Sequence, residues 1–284
     1  MAYRRVKENA AGLAAARLFR AAKSYRTCAM AKTLFELNPA LDREELAARF
    51  ASRRRIQIRD VLTNESAREI RDVLARGTAW GMATAPGDGA NSGNAGGEVG
   101  GPAQVPPAEL NTQAGQQRLA RLTQAAGKAA ARGDYAFCYA QYSLVQGYLE
   151  KWNEGGAHDL LIEYLNTPKF LGLVREVTGM DDLIKADGQA TLYAPQHFLG
   201  LHTDSHVAEG WKVAYVLNLT VDDWKPDWGG YLNFFDQDGN IECAFRPRFN
   251  SLNMFAVPQA HSVGFVPPFA PLGRYAITGW VRNV

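Results

Sequence analysis

Two side chains in the last third of the sequence have the spacing of metal ligands. His202 and Asp204 are separated by one residue within Gly200-Leu-His-Thr-Asp-Ser-His206. On a strand, residues i and i+2 project from the same face about 7 Å apart, so both donors could reach one ion. A His-x-Asp pattern alone often arises by chance, and a third ligand from another strand is therefore required.

His261 is the best candidate for that third ligand. On a straight strand His206 would lie about 13 Å from His202, too far for both to bind one ion through bonds of about 2 Å. His197 is an odd number of residues from His202 and would face away, and His158 lies in a predicted helical region. Two histidines and one carboxylate without a thiolate suit Fe(II) with open coordination positions. The alternative is three ordinary polar residues, with His261 hydrogen-bonded in the core.

Arg274 could bind an anion beside such a metal. It begins Arg274-Tyr-Ala-Ile-Thr-Gly-Trp280, which alternates in the manner of a strand with one buried face. Burying an arginine is costly unless it meets an anion, and its planar guanidinium suits a carboxylate, such as that of a dicarboxylate cosubstrate. Tyr193 and Thr278 could donate hydrogen bonds to the same carboxylate. The alternative is a surface arginine at the start of a strand.

The stretch from Tyr193 to Trp280 resembles the catalytic core of the 2-oxoglutarate-dependent prolyl hydroxylases, including relatives that act on ribosomal or translation proteins. Residues 36–180 resemble the helical N-terminal support of the ribosomal-type relatives. The resemblance of the core rests on the order and spacing of His202-Thr-Asp204, Leu217-Asn218 with Asp223-Trp224, Gly229-Gly-Tyr-Leu-Asn-Phe-Phe235, Phe245-Arg-Pro-Arg-Phe-Asn250 before Leu252 to Phe255, His261-Ser-Val263, and the run from Arg274 to Trp280.

This resemblance implies a role for each candidate residue. It implies that Fe(II) is bound by His202, Asp204 and His261, and that 2-oxoglutarate is bound by Arg274. Tyr193, one residue out of register with the family, and Thr278 would lie near the cosubstrate. No catalytic side chain is expected beyond the metal site, and Trp280 and Tyr215 are expected to line a substrate pocket.

The resemblance also implies the reaction. We expect a dioxygenase that uses Fe(II), 2-oxoglutarate and O₂, with ascorbate as a further cofactor, to hydroxylate an aliphatic carbon of a prolyl residue in a protein or peptide. Related halogenases lack the carboxylate ligand that Asp204 provides, and related nucleobase demethylases carry an arginine where Trp280 stands. The alternatives are hydroxylation of a free amino acid or small metabolite, and a jelly-roll protein that binds a ligand without turnover.

The elements that must position these residues change character along the chain. Asp42-x-x-Glu45 predicts a helix start, Arg55 to Leu62 a half-buried strand, and Thr63 to Arg76 a helix. Residues 114–178 are predicted to be mainly helical. From Gln189, short β-type runs follow at 189–194, 211–220, 230–236, 251–256, 262–266 and 273–282. The pattern predicts an α+β protein with a double-stranded β-helix (jelly-roll) core and N-terminal supporting helices.

Composition suggests three segments. Residues 1–29 carry seven Lys or Arg against one acidic residue and are predicted to be a basic N-terminal extension. Residues 30–180 are predicted to be a mainly helical support with a Gly-rich mobile loop at 84–107, and residues 181–284 the jelly-roll core, with 30–284 as one catalytic unit. No G-K-[ST] follows the glycines, so a phosphate loop is not predicted, and the loop is either a flexible insertion or a lid.

Charge and cysteine content exclude several classes of protein. The net charge of +2, from 31 basic and 29 acidic residues, gives no field that would collect nucleic acid or anionic membrane. Three widely spaced cysteines argue against a disulfide framework and favour the cytoplasm. The expected partner is therefore a protein, peptide or small-molecule substrate, and the oligomeric state is not predicted.

Overall fold

The computed structural model describes residues 34–86, 103–204 and 209–284. The predicted extension 1–29, most of the predicted Gly-rich loop, its role as a lid, and His206 lie outside the described residues. No described helix is long and apolar enough to cross a membrane. The described α-helices are α1 (Arg43–Arg53), α2 (Asn64–Asp72), α3 (Pro107–Leu110), α4 (Gln113–Ala131), α5 (Leu144–Leu149), α6 (Ala157–Leu165) and α7 (Pro168–Thr178).

The strands fall mostly in the second half of the chain. They are β1 (Arg55–Arg59), β2 (Gly81–Pro86), β3 (Ala103–Val105), β4 (Ala136–Ser143), β5 (Lys185–Ala186), β6 (Gln189–Tyr193), β7 (Phe198–Thr203), β8 (Trp211–Asn218), β9 (Leu232–Phe235), β10 (Ile241–Phe245), β11 (Ser251–Ala256), β12 (Ala260–Val263) and β13 (Arg274–Arg282). A π-turn at Val73–Gly77 continues α2, and a 3-10 turn occupies Pro226–Trp228.

The helices begin and end where the sequence signals them. The Asp42 carboxylate accepts a hydrogen bond from the backbone N–H of Glu45 at 3.0 Å, which caps α1. Pro168 occupies the first position of α7, where its missing N–H costs nothing. Gly179 ends α7 with φ of +69°, a left-handed conformation that favours glycine. The predicted helix start at Asp42-x-x-Glu45 is confirmed.

Strands β6 to β13 form a jelly roll of two antiparallel sheets. One sheet has the order β11-β8-β13-β6, extended by β1 beside β11, and the other has the order β7-β12-β9-β10. Strand β4 pairs with both β6 and β7 and so joins the two sheets along one side of the barrel. The other side is open between β1 and β10, the two ends of the strand order. The predicted α+β jelly-roll fold is confirmed.

Strand β4 lies within a region that the sequence predicted as mainly helical. Helices α4 to α7 account for most of residues 114–178, and β4 interrupts them at Ala136–Ser143. Tyr135, Phe137 and Tyr139 alternate with small residues, so the bulky side chains occupy one face of the strand and Cys138 on the other face lies against Thr123 of α4. That alternation is typical of a strand.

The ends of the predicted Gly-rich loop also belong to regular elements. Residues 84–86 are the end of β2 and residues 103–105 are β3, with Thr84 opposite Ala103, and α3 begins at Pro107. Strand β2 pairs with β4 along its whole length, which explains its order. Strand β10 was also not predicted, and its pairing with β9 shifts register between Ile241 and Cys243.

The helices pack on the outer face of the first sheet, and the inner face lines the barrel. Val213, Tyr215 and Leu217 of β8 belong to the large core beneath the helices. Ala214 and Val216, the residues between them, belong to the core inside the barrel. The strand period of two thus decides which side chains can reach a site inside the jelly roll.

Candidate active site

A cavity of about 790 Å³ lies inside the jelly roll, between the two sheets. All eight residues predicted for the site border it: His202, Asp204, His261, Arg274, Tyr193, Thr278, Trp280 and Tyr215. They come from strands β6, β7, β8, β12 and β13 or their ends, so only the folded barrel brings them together.

The three predicted metal ligands converge at one point of this cavity. His202 on β7 lies directly opposite His261 on β12, and their ring centres are 4.2 Å apart. Asp204 follows the end of β7, with one carboxylate oxygen 3.5 Å from His202 Nε2 and the other 3.5 Å from His261 Nε2. One donor atom from each residue lies within 4.8 Å of the others, so the three could bind a single ion.

Backbone carbonyls fix the orientation of both imidazole rings. His202 Nδ1 lies 3.0 Å from the carbonyl oxygen of Gly200, and His261 Nδ1 lies 2.8 Å from that of Gln259. Because a carbonyl oxygen only accepts, Nδ1 carries the proton in each ring. In the neutral form of each ring, Nε2 is then the nitrogen that can bind a metal, the usual arrangement for ligating histidines.

The environment keeps these donors in the states that bind a metal. Burial, followed by the neighbouring His202, lowers the pKa of His261 to about 4 despite the attraction of Asp204, so His261 is neutral near pH 7. Burial raises the pKa of the Asp204 carboxyl, but its interactions with His202 and His261 outweigh burial and leave the pKa below its usual value. The site therefore offers a neutral imidazole at His261 and an ionised carboxylate at Asp204, beside the imidazole of His202, a donor set that suits Fe(II).

The other two described histidines serve the structure. His158 Nε2 lies 2.9 Å from Thr78 Oγ1, and its ring packs 4.4 Å from that of Tyr142. His197 Nδ1 lies 3.1 Å from the backbone nitrogen of Ala194. Neither borders the cavity that holds His202 and His261.

Arg274 is a buried cation with only neutral acceptors around it. Its side chain is 1% exposed. Nε and Nη2 donate to Asn218 Oδ1 at 3.2 and 3.1 Å, and Nη1 donates to the carbonyl oxygen of Gly230 at 3.0 Å. Among the residues that the structure describes, no carboxylate lies within 4.0 Å of the guanidinium, and three bonds leave two of its five N–H donors. The structure therefore excludes a surface position for Arg274.

Burial also acts on the charge of this guanidinium. It lowers the pKa of Arg274 to about 10, so the group is still protonated near pH 7. A protonated guanidinium in the interior is unfavourable without an anion. Arg274 is thus prepared for an anionic ligand in the cavity.

Tyr193 lies directly opposite Arg274 in the β6–β13 pair, and the guanidinium carbon is 5.4 Å from the centre of its ring. Burial raises the pKa of Tyr193 well above its ordinary value, so its hydroxyl is a neutral hydrogen-bond donor. Thr278 lies four residues beyond Arg274 on the same face of β13 and borders the cavity. Both therefore lie where they could contact a ligand of Arg274.

Trp280 and Tyr215 differ in their surroundings. Trp280 stacks on Trp211 with ring centres 4.0 Å apart, and both rings border the cavity. Tyr215 also borders the cavity, but its ring packs 5.5 Å from that of Phe170 and its hydroxyl donates to the carbonyl oxygen of Asp187 at 2.6 Å. These contacts also give Tyr215 a role in the core, and its place in a substrate pocket stays a prediction.

Sequence reasoning missed four residues of the site. Asn218 was recognised only as part of a motif, although it holds Arg274. Tyr135, Tyr139 and Gln189 also border the cavity, and the Tyr135 ring is 5.6 Å from that of His202. Burial raises the pKa of Tyr139 to about 12, although a hydrogen bond with Gln189 acts in the opposite direction. The alternation of residues 135–139 was the signal that could have placed the tyrosines on a strand.

Residues 188–282 match the 2OG-Fe(II) oxygenase superfamily. No curated protein sequence matches the chain. A prolyl-4-hydroxylase from Pseudomonas putida is similar in structure, with 18% identity and a TM-score of 0.48 over 87% of this chain and 96% of that chain.

Two further solved structures are similar over comparable lengths. An oxidoreductase of the 2OG-Fe(II) oxygenase family from Burkholderia pseudomallei has 13% identity and a TM-score of 0.47, over 88% of this chain and 94% of that chain. A non-heme alpha ketoglutarate dependent epimerase from nogalamycin biosynthesis has 13% identity and a TM-score of 0.47, over 87% and 84%. Residues 188–282, which contain the three candidate ligands and Arg274, are therefore the part of the chain that matches the 2OG-Fe(II) oxygenase superfamily, whose members use Fe(II), 2-oxoglutarate and O₂.

Proposed function

We propose that this protein is an Fe(II)- and 2-oxoglutarate-dependent dioxygenase that hydroxylates an aliphatic carbon, with a prolyl residue of a protein or peptide as the substrate. The proposal rests on two features that border the same cavity. Two imidazoles and a carboxylate converge at one point, and a buried arginine without a carboxylate partner among the described residues borders the same space. In this proposal residues 30–284 act as one catalytic unit in the cytoplasm.

The three ligands bind Fe(II) through His202 Nε2, His261 Nε2 and one Asp204 oxygen. Hydrogen bonds from Nδ1–H to backbone carbonyls hold the two imidazole rings in place, so metal binding requires little movement of the ligands. The donor set contains no thiolate and leaves coordination positions open, which suits Fe(II) better than a structural zinc ion.

Arg274 binds the distal carboxylate of 2-oxoglutarate through its two remaining N–H groups. Asn218 and the Gly230 carbonyl hold the guanidinium without neutralising its charge. The ligand therefore gains a full charge-assisted pair. Tyr193 and Thr278 are placed to donate further hydrogen bonds to the cosubstrate.

The chemistry is divided between the bound groups and the chain. Bound Fe(II) would activate O₂, the oxidant, while 2-oxoglutarate would give up two electrons on conversion to succinate and CO₂ and the substrate C–H bond two more on conversion to C–OH. The chain positions the reactants, and Val216, Leu232 and Phe255 give the cavity an apolar wall that limits water. Trp280 and Trp211 form the aromatic part of the same cavity.

The proposal of a prolyl substrate rests on motifs in the second half of the sequence. The runs around His202, Gly229 to Phe235, and Arg274 to Trp280 resemble those of prolyl hydroxylases in order and spacing. A tryptophan at position 280 fills a place where an arginine would be needed to act on nucleobases, so a protein or peptide is the better supported partner.

A substrate-stimulated succinate assay tests this function. The Fe(II)-loaded enzyme is supplied with 2-oxoglutarate and either proline-containing peptide pools or free amino acids, and Asp204→Ala serves as the inactive control. We expect peptides to stimulate succinate formation and free proline to have little effect. Stimulation by free amino acids alone would replace the peptide substrate with a small metabolite, and succinate formation by Asp204→Ala equal to that of the wild type would refute the metal site.

A further inference from the structure

A groove of about 320 Å³ runs along the open side of the jelly roll and is rich in arginine. Its residues come from α1, β1 and β10, the elements at the two ends of the strand order. We call it the arginine groove, and its walls contain Arg49, Arg53, Arg55, Arg59, Gln57 and Phe245.

Two more arginines lie beside the groove. Ser251 lies directly opposite Arg59 in the β1–β11 pair, and its hydroxyl donates to the carbonyl oxygen of Arg248 at 3.0 Å. Gln57 Nε2 donates to the carbonyl oxygen of Arg246 at 3.0 Å. Burial, and then repulsion by the charges of Arg246 and Arg59, lowers the pKa of Arg248. Like charges are thus held together at this edge of the barrel.

Few of these cations are neutralised by the protein itself. Arg55 pairs with Glu242 at 2.5 Å, and exposed Arg49 lies 3.7 Å from Glu45. Within ranges 34–86, 103–204 and 209–284, Arg53, Arg59, Arg246 and Arg248 have no carboxylate within 4.0 Å.

Two of the unneutralised arginines also each have one N–H group without a hydrogen-bond partner among the described residues. Arg246 Nε and Arg248 Nε are buried, and no described atom accepts a hydrogen bond from either. A buried donor without an acceptor is costly, and both point to a ligand that brings acceptors.

The spread of the charges indicates an extended ligand. Arg55 and Arg59 are four residues apart on one strand, which separates them by about 13 Å. A single phosphate or carboxylate cannot contact both ends of the groove, so the ligand must carry several anionic groups along its length.

The edges of the groove favour a peptide over a nucleic acid. Strand β1 pairs only with β11 and β10 only with β9 among the described strands, so each presents an edge to the groove. A peptide in an extended conformation can pair with a strand edge, while its side chains reach charges on the flanking elements. The net charge of +2 provides no long-range attraction for nucleic acid.

We propose that the arginine groove binds an acidic segment of the protein substrate, several residues long and rich in Asp or Glu. This inference rests on the proposed function, and it adds a docking site separate from the cavity. Arg55 lies at the boundary between the groove and the cavity. Its guanidinium carbon is 4.8 Å from the centre of the Phe234 ring, and the Phe234 ring centre is 6.2 Å from that of His261. A bound segment therefore lies close to the metal centre without contacting it, and it affects KM more than kcat.

Direct binding tests the proposal without iron, 2-oxoglutarate or turnover. Fluorescence anisotropy measures the binding of a labelled hexaglutamate peptide and of a matched hexaglutamine peptide to the full chain. We expect the glutamate peptide alone to bind, and to bind more weakly as salt rises from about 0.05 to 0.5 M, because the charges are exposed to solvent. The double variant Arg59→Gln/Arg248→Gln should bind at least about tenfold more weakly, as follows from about 0.7 kcal/mol for each ion pair.

The control is Arg76→Gln, which removes an arginine that is 81% exposed and lies outside the groove. It should bind like the wild type. The double variant should keep the wild-type Tm, because Arg59 and Arg248 have no carboxylate partner to lose among the described residues. Should it unfold, Arg49→Gln/Arg53→Gln on α1 removes charge from the same groove at exposed positions.

Three results would overturn the proposal: equal binding of the two peptides, unchanged affinity in the folded groove variants, or tighter binding of a single-stranded oligonucleotide than of hexaglutamate. Each outcome is separable from the proposed function. If hexaglutamate binds but no substrate stimulates succinate formation, the anion-binding groove is supported and the proposed reaction is refuted. If succinate forms but hexaglutamate does not bind, the reaction is supported and the docking site is refuted.

Discussion

The amide oxygen of Asn218 accepts hydrogen bonds from both Nε and Nη2 of Arg274, at 3.2 and 3.1 Å. A neutral amide fixes the geometry of the guanidinium but leaves its charge uncompensated. A carboxylate in the same place would fix it equally well and would remove its attraction for an anion. The identity of residue 218 therefore matters for ligand binding as much as that of residue 274.

Replacing Asn218 with Asp should weaken 2-oxoglutarate binding strongly. The new carboxylate would lie about 3 Å from the guanidinium, so the cosubstrate would compete with an internal anion. We expect a loss of at least about tenfold, measured by anaerobic titration of the Fe(II) enzyme with 2-oxoglutarate. Asn233→Asp is the matched control, because Asn233 is a partly buried β9 residue that contacts Ser262 and does not border the cavity. Equal affinity of Asn218→Asp and wild type would show that Arg274 does not clamp the cosubstrate.

Removing Arg274 should weaken the same interaction directly. Loss of a bidentate, charge-assisted pair in a partly dry cavity costs on the order of 2 to 5 kcal/mol, or roughly 30-fold to several-thousand-fold in affinity. Arg274→Lys keeps the charge but loses the fork, so its affinity should lie between those of the wild type and Arg274→Ala. The metal-to-ligand absorption band reports 2-oxoglutarate binding, and the affinity for iron should hardly change. Unchanged 2-oxoglutarate affinity in Arg274→Ala would mean that another residue binds its carboxylate.

The metal ligands can be tested by metal content. His261→Ala and Asp204→Ala should each lose bound Fe(II) and all substrate-stimulated succinate formation, because two remaining donors hold the ion poorly. Circular dichroism should show an intact fold, since the ligands lie in a cavity and not within the helix-packed core. Asp222→Ala, which removes an exposed carboxylate paired with Arg68, is the control and should retain iron. If Asp204→Ala bound as much iron as the wild type, Asp204 would not be a metal ligand.

The buried side chain of His158 should make the stability of the fold depend on pH, independently of catalysis. Burial lowers the pKa of His158 below its ordinary value of 6.5, so the folded state favours the neutral ring. The stability that this provides is complete above about pH 6.5 and is lost as the pH falls through the lower pKa of the folded state. His158 Nε2 faces Thr78 Oγ1, a contact that the amide of glutamine can replace.

The measurement is the Tm of the wild type and of His158→Gln between about pH 7.5 and 5. We expect the Tm of the wild type to fall more steeply with decreasing pH than that of His158→Gln. Parallel curves would show that another group, and not His158, controls the loss of stability in acid.

The sequence predicted those site residues whose relative positions follow from the two-residue period of a single strand. The spacing of His202 and Asp204 and the shared parity of Arg274, Thr278 and Trp280 follow from strand geometry alone, and all five border the cavity. The choice of His261 followed by exclusion of other histidines, but its place opposite His202 depends on the pairing of β12 with β7. Pairing between strands 59 residues apart is set by tertiary packing, which a local pattern does not contain.

Two places show where a local pattern was insufficient. Tyr215 borders the cavity, but it belongs to the core beneath the helices and its hydroxyl donates to the carbonyl oxygen of Asp187. Tyr135 and Tyr139 lie in the region predicted to be mainly helical, although their spacing is that of a strand. In both cases the missing information was which sheet face the neighbouring elements cover.

Strand β4 has a consequence for how the chain can be divided. It forms hydrogen bonds with both β6 and β7, although it precedes residues 188–282 by more than 40 positions. A recombinant fragment that starts after residue 180 would expose two adjacent strand edges beside the metal ligands, and such edges recruit other chains into intermolecular sheets. The fragment with the catalytic signature would therefore be insoluble by itself, and β4 added as a separate peptide would act as a complementing strand, as in a split-protein reporter.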